Sequence, residues 1–281
     1  MAYKDIVVFV DPSPASLHRL RIAGGLARRY AAHLIGVYAV PGDMDDRASD
    51  GFARGDRGVN AVLERHRAAA ERAVVQVGRQ FADLVTRDDL QAEFRLIWNS
   101  EDHRSVVLNS LYADLAIVGQ IAPNGLPQNG LARHLLLASG VPMLVVPNDW
   151  ASDVIGTRAV IAWNASKEAR RAVADALPLL STASAVRIVI VDAARDHDRH
   201  GQEPGADIAL HLARHGAPVE VEQVASNGAP VADAIRRAAG RHKADLIVMG
   251  AHGHSRSRQL LFGSVTQAVL ESAAVPVLMS H

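Results

Sequence analysis

Short apolar runs alternate along the chain with longer stretches in which apolar residues recur every three or four positions. Ile6-Val7-Val8-Phe9-Val10-Asp11 is a β-rich run followed by Ser13-Pro14 and a helical pattern, and Val160-Ile161-Ala162-Trp163-Asn164 is followed by Ser166 and another. Each predicts a strand feeding a helix with a serine at its cap. The first helix places Leu17, Leu20, Ala23, Ala27, Tyr30 and Leu34 on one face, and the second Ala169, Ala172, Val173, Ala176 and Leu180. Both are amphipathic. Further strands are predicted over 34–40, 90–98, 186–191 and 219–224, each separated from the next by a helix-compatible stretch.

The order of elements repeats. Ala113-Asp114-Leu115-Ala116-Ile117-Val118-Gly119 matches Ala244-Asp245-Leu246-Ile247-Val248-Met249-Gly250. Val141-Pro142-Met143-Leu144-Val145-Val146 then matches Val275-Pro276-Val277-Leu278-Met279. A βαβ pattern within each half requires right-handed crossovers, hence a mainly parallel sheet covered by helices on both faces. The expected architecture is α/β, two tandem doubly wound five-strand parallel-sheet domains over 1–149 and 156–281, with a linker near 147–157. The polar, glycine- and aspartate-rich segment 41–58 reads as a surface loop.

Composition narrows the chemistry. The chain has 281 residues, with 30 basic and 30 acidic side chains. A formal charge of zero removes the electrostatic footprint of non-specific nucleic-acid binding. The absence of cysteine excludes disulfides, thiolate catalysis and thiolate-bound zinc. The N-terminus lacks the pattern of a signal peptide, and the longest apolar run, 135–146, is broken by Ser139, Gly140 and Pro142, so neither secretion nor a membrane span is expected. The expected location is cytoplasmic.

Ligands of an open parallel sheet bind beyond the carboxyl ends of its strands, which points to the loops after Asn164, Val191 and Gly250. The last of these runs Gly250-Ala251-His252-Gly253-His254-Ser255-Arg256-Ser257-Arg258-Gln259-Leu260-Leu261-Phe262-Gly263-Ser264-Val265-Thr266. Gly250 and Gly253 allow close backbone approach. Gly263 and Ser264 open a helix whose free N–H groups and dipole favour phosphate, with hydroxyl donors from Ser264 and Thr266. Isolated glycines of this kind make turns, and an isolated serine caps a helix; the full spacing favours an anion site.

Gly250, two residues, Gly253, nine residues, then Gly263-Ser264, placed after the fourth strand of such a domain, resembles the ATP-binding signature of the universal stress protein family. The whole chain resembles tandem bacterial members, whose fold is adenine nucleotide alpha hydrolase-like. Ala162-Trp163-Asn164-Ala165-Ser166, followed by Glu168-Ala169, also resembles the opening of their second domain. The resemblance implies that Met249, Gly250, Gly253, Gly263, Ser264, Val265 and Thr266 surround phosphates and ribose, with His254 in the same loop, and that Val191 meets adenine through its backbone. It implies ATP as ligand, accompanied by Mg2+ bridging the phosphates. Nucleotide-binding members carry aspartate where this chain has Asn164, an amide that both donates and accepts.

The first half departs differently. Asp11 is present, but the loop from Gly119 to Gly130 lacks the signature, and Gly119 to Asn129 spans ten positions against thirteen from Gly250 to Gly263. Pro123 and Pro127 bring no donors. One competent site is expected, in the second half, with Asp11 as a helix-start residue.

Other constellations carry less. His252 and His254 lack the spacing of a metal site, so no metal is expected, and Arg256 and Arg258 either fold over a triphosphate or are solvated. Asp102-His103 and Asp192 form no arguable triad, and G-x-S-x-G, the P-loop and the Rossmann fingerprint do not occur. Trp98 and Trp163, at strand ends, are expected to pack in the core or at its rim. The family resemblance allows slow ATP hydrolysis, but no general base is positioned, so any turnover is expected to be weak and incidental.

The expected function is a stress-response regulatory protein binding ATP or another adenine nucleotide in its C-terminal domain; the alternative is a nucleotide-independent scaffold or chaperone-like protein. An adenylate-forming or phosphotransfer enzyme ranks last for want of a catalytic motif. The apolar terminal strands of the two halves would invite aggregation if open. They are expected to pair within the chain, with homodimerisation a further option.

Overall fold

The protein is described by a computed structural model covering residues 2–40, 56–98, 103–120, 131–195, 201–251 and 263–281. The first half comprises β1 (Asp5–Val10), α1 (Pro14–Tyr30), β2 (His33–Ala39), α2 (Asp56–Asp88), β3 (Ala92–Ile97), α3 (His103–Leu108), β4 (Leu115–Gly119), α4 (Leu131–Ala138) and β5 (Met143–Val146). The second comprises β6 (Arg158–Ala162), α5 (Lys167–Leu180), β7 (Ala185–Val191), α6 (Ala206–Arg214), β8 (Val219–Val224), α7 (Val231–Arg241), β9 (Leu246–Gly250), α8 (Ser264–Ser272) and β10 (Val277–Ser280). The strands form one sheet in the order β3-β2-β1-β4-β5-β10-β9-β6-β7-β8. Pairing is parallel within each half, and among the described residues the single antiparallel contact joins β5 to β10, with Val145 opposite Val277, Leu144 opposite Leu278 and Met143 opposite Met279. The two apolar terminal strands thus close each other's edges inside one chain.

Strand alternation distributes the core to both faces of the sheet. Ile6, Val8, Leu144, Ile161 and Leu278 pack beneath α1, α2, α5 and α6, whereas Val7, Phe9, Val145, Val160 and Val277 pack beneath α3, α4, α7 and α8. Each apolar layer runs across the β5–β10 seam and includes side chains of both halves.

The helix starts repeat as well. Ser13 Oγ accepts from Ser16 N at 3.2 Å with Pro14 in the first turn, and Ser166 Oγ accepts from Ala169 N at 3.1 Å. Two expectations are corrected. The α1 face does not reach Leu34, because Ala31 adopts a left-handed φ of 50° and ends the helix, so Leu34 joins β2; Leu17 is exposed and the buried face runs through Arg19, Leu20, Ile22, Ala23 and Leu26. The loop read over 41–58 gives way to α2 at Asp56, where a glycine at position 58 falls in the first turn and disturbs no intrahelical N–H bond. Residues 41–55 lie outside the described residues.

Candidate functional site

The carboxyl ends of β6, β7 and β9 and the start of α8 surround a cavity of about 350 Å³. At its floor, β9 ends on Gly250, where a Cβ would fall 2.3 Å from Ala169 N and 2.5 Å from the carbonyl carbon of Glu168. Glycine here lets the strand end meet the N-terminal turn of α5 backbone to backbone. Beside it, Asn164 Oδ1 accepts from Ser166 Oγ at 2.8 Å and from Ser166 N at 3.3 Å. The asparagine oxygen is thereby committed to the start of α5, and among the described residues its side-chain N–H groups have no acceptor.

One wall is apolar: Val189 and Val191 of β7, Met249 of β9, and Val231 and Ile235 at the start of α7 line it. Asp192, at φ 54°, ties this wall by accepting from Ser226 N at 2.8 Å and Ser226 Oγ at 2.6 Å, which fixes the end of β7 against the end of β8. Opposite, α8 begins at Gly263 in extended conformation with no side-chain cap, and its first turn, Ser264, Val265 and Thr266, lines the cavity. The first N–H groups of a helix are electropositive and seek acceptors. The described lining carries no charged side chain. The site therefore offers an apolar slot at one end and a helix N-terminus with the exposed Ser264 hydroxyl at the other, a match for a flat apolar group joined to an anionic one.

The structure places Asn164, Val191, Met249, Gly250, Gly263, Ser264, Val265 and Thr266 on this single cavity. Gly253 and His254 lie outside the described residues, as do His252, Arg256 and Arg258. Of the apolar wall, Val191 and Met249 were named from the sequence, whereas Val189, Val231 and Ile235 were missed: Val231 and Ile235 are four apart on a helix, a spacing that marks a buried face without saying what it faces. Of the two tryptophans expected in the core or at its rim, Trp163 packs against the core and also lines the cavity, whereas Trp98 is 59% exposed, past the end of β3. Among the described residues no group of three or more histidine, aspartate or glutamate side chains is placed to hold a metal ion, and no described helix is long and apolar enough to cross a membrane.

The matching corner of the first half is filled by the chain itself. Asp11 Oδ1 accepts from Ser13 N at 2.8 Å, as Asn164 does from Ser166. Its Oδ2 accepts from Arg19 Nη2 at 2.6 Å, and Arg19 Nε donates to Phe9 O at 2.8 Å. Both side chains are buried, and burial pulls the Arg19 guanidinium down while Asp11 opposes that shift. A Cβ on Gly119 would fall 2.3 Å from Arg19 Nη1, so the guanidinium occupies the space above the end of β4. The corresponding residue of α5 is Ala172. Asp11 is thus a helix-start residue and also half of an ion pair that sequence spacing did not disclose. Beyond Gln120 the loop of this half lies outside the described residues.

The model of the universal stress protein family matches residues 157–281. A universal stress protein of Synechocystis is 42% identical over 67 residues, which cover 24% of this chain and 22% of that relative. Among solved structures, a universal stress protein from Archaeoglobus fulgidus DSM 4304 superposes with a TM-score of 0.69 at 16% identity, covering 98% of this chain and 97% of its own. A functionally unknown protein from Pseudomonas aeruginosa PAO1 superposes with a TM-score of 0.63 at 16% identity, covering 99% of this chain and 92% of its own. These two likenesses extend over both halves and concern the fold.

Proposed function

We propose, from the premise that through residues 157–281 the chain belongs to the universal stress protein family, that it is a cytoplasmic stress-response regulatory protein whose second half binds ATP or another adenine nucleotide. One observation carries this reading: Asn164, Val191, Met249, Gly250 and the first turn of α8 converge on one cavity that is apolar at one end and helix-capped at the other. The adenine ring lies in the slot walled by Val189, Val191, Val231 and Ile235, and the phosphates lie against Gly263, Ser264, Val265 and Thr266, with Gly253 and His254 completing the loop. The Asn164 amide donates to the base or ribose. Magnesium accompanies the triphosphate, held by the nucleotide's own oxygens. Residues 1–149 and 156–281 are two domains of one fold, of which only the second is competent.

The test is to denature the purified protein and assay released adenine nucleotide, then to titrate ATP and follow the melting temperature, with Gly263→Val and Ser264→Ala alongside. Bound or added nucleotide stabilises the native chain as its concentration exceeds Kd. Gly263→Val should abolish the shift, and Ser264→Ala should weaken binding about tenfold to a hundredfold, as loss of one hydrogen bond to a charged oxygen. No released nucleotide and no shift with ATP would leave the scaffold reading, which the commitment of the Asn164 oxygen to Ser166 favours.

A further inference from the structure

A second cavity, of about 470 Å³, lies toward the amino ends of the strands, away from the first. It is bounded by the second half of α1, the end of α2 and the connector 153–157 that leads into β6. Four arginines line it, Arg21, Arg28, Arg29 and Arg87, against two carboxylates, Asp88 and Asp153. Both carboxylates are engaged. Asp88 accepts from Arg87 Nε at 2.8 Å and Nη2 at 3.3 Å, a contact that holds its carboxyl below the usual range. Asp153 Oδ1 lies 3.4 Å from both Arg21 Nε and His18 Nδ1. Arg29 donates to Thr182 and stacks 5.5 Å from the centre of the Tyr30 ring. Among the described residues neither Arg28 nor Arg29 has a carboxylate within ion-pair distance.

The ends of α1 and α2 each contribute roughly half a negative charge. A surplus of about one positive charge remains, on arginines whose forked donors suit phosphate. Apart from Gly25 and Thr157 the rest of the lining is apolar: Ile22, Leu26 and Ile155 are buried beneath it, and Val154 lines it while 61% exposed. We propose that this cavity is a second ligand site, distinct from the nucleotide site, for a phosphate monoester carrying a small apolar body. The phosphate lies between Arg28 and Arg29, and the apolar part covers Val154 over Ile22 and Leu26. Such a ligand touches helices of the first half and the connector into the second, so its binding stabilises the two together.

The test titrates the full-length protein with phenyl phosphate and, separately, with inorganic phosphate, by calorimetry and by melting temperature. Saturable binding of phenyl phosphate, tighter than inorganic phosphate, is expected. Arg28→Ser, a change at an exposed position, should weaken both probes about tenfold, and Val154→Asp should erase the preference for the phenyl ester. Because the first cavity also suits a flat group joined to an anion, both titrations are repeated in Gly263→Val, where one saturable site that responds to Arg28→Ser should remain. Absence of saturable binding, binding that survives Arg28→Ser undiminished, or binding lost in Gly263→Val would each overturn the proposal, the last by assigning the phosphate to the nucleotide site.

Discussion

Arg19 Nη2 stands 2.6 Å from Asp11 Oδ2, both side chains buried at the strand ends where the second half has Ala172 and Asn164. The two halves share strand order, cap serines and the glycine ending the fourth strand, yet one corner holds its own cation and carboxylate while the other is open. An arginine whose three nitrogens face Phe9 O, Asp11 and Gly119 is already satisfied and offers no room above β4. Asymmetry between the halves therefore resides in a helix residue as well as in the loops.

Arg19→Ala leaves Asp11 buried with an uncompensated charge, and chemical denaturation should show a loss of about 3–5 kcal/mol. Adding Asp11→Asn, which recreates the Asn–Ala pairing of the second half, removes the charge and keeps an acceptor for Ser13 N. The double variant should recover at least half of that loss. Equal destabilisation of the single and double variants would contradict the assignment of the cost to Asp11.

Gly250 and Gly240 make an internal contrast. A Cβ at Gly250 collides with the backbone of Glu168 and Ala169, whereas one at Gly240, exposed on α7, meets nothing within 4 Å. Gly250→Ala should cost about 1–3 kcal/mol by forcing α5 off the sheet and should weaken nucleotide binding with it. Gly240→Ala should stabilise by about 0.5–1 kcal/mol through helix propensity, with binding unchanged. Melting curves of the two variants, with and without ATP, check both signs.

Repetition made most of the framework legible, because a buried parallel strand must be an apolar run and Ser13 and Ser166 announce the helices that follow. The helix-terminal end of the cavity was legible for a similar reason: Gly250, where a Cβ would collide with Glu168 and Ala169, and Gly263, which opens α8, stand out in the sequence as glycines at the two ends of one loop. Apolar walls have no such signature. Val231 and Ile235 are indistinguishable in sequence from the core-facing Ala234 and Ala238 of the same helix. The end of α1 was also concealed, since Ala31 takes a left-handed cap without the glycine that usually marks one. Arg19 was hidden because a long charged residue on an amphipathic helix is ordinarily solvated, and only the proximity of β4 to α1 reveals its burial.

Acidification should act on the edge strand β8. Glu222 Oε2 lies 2.5 Å from His242 Nε2, and its Oε1 accepts from Arg241 Nη2 at 2.6 Å. Burial raises the carboxyl, but His242 and Arg241 together outweigh it and hold the group below its ordinary value. A depressed folded value means that the contribution to stability is complete above the unfolded value of about 4.3 and disappears as pH falls through the folded one. Glu222→Gln should therefore be less stable than the wild type by about 0.5–1 kcal/mol at neutral pH. The difference should close in urea titrations below about pH 4, and a gap independent of pH would refute the ion-pair account.

The β5–β10 seam makes a stronger demand, because it decides whether the halves unfold separately. Leu144 and Leu278 face each other across it, and both are fully buried in the layer beneath α1 and α5. Unfolding one half alone would expose this layer and leave an apolar strand edge on the survivor, a cost comparable to the stability of a small domain. Urea unfolding should then be a single transition, read alike by Trp98 beside β3 and Trp163 beside β6 in single-tryptophan variants. Leu278→Ala should cost about 2–5 kcal/mol and shift both signals by the same amount, although Leu278 belongs to the second half. Adding Leu144→Ala should cost less than the sum of the single changes, since the two side chains share one contact. Two resolved transitions in the wild type, or a Leu278→Ala effect confined to Trp163, would show that the seam joins two independently stable units.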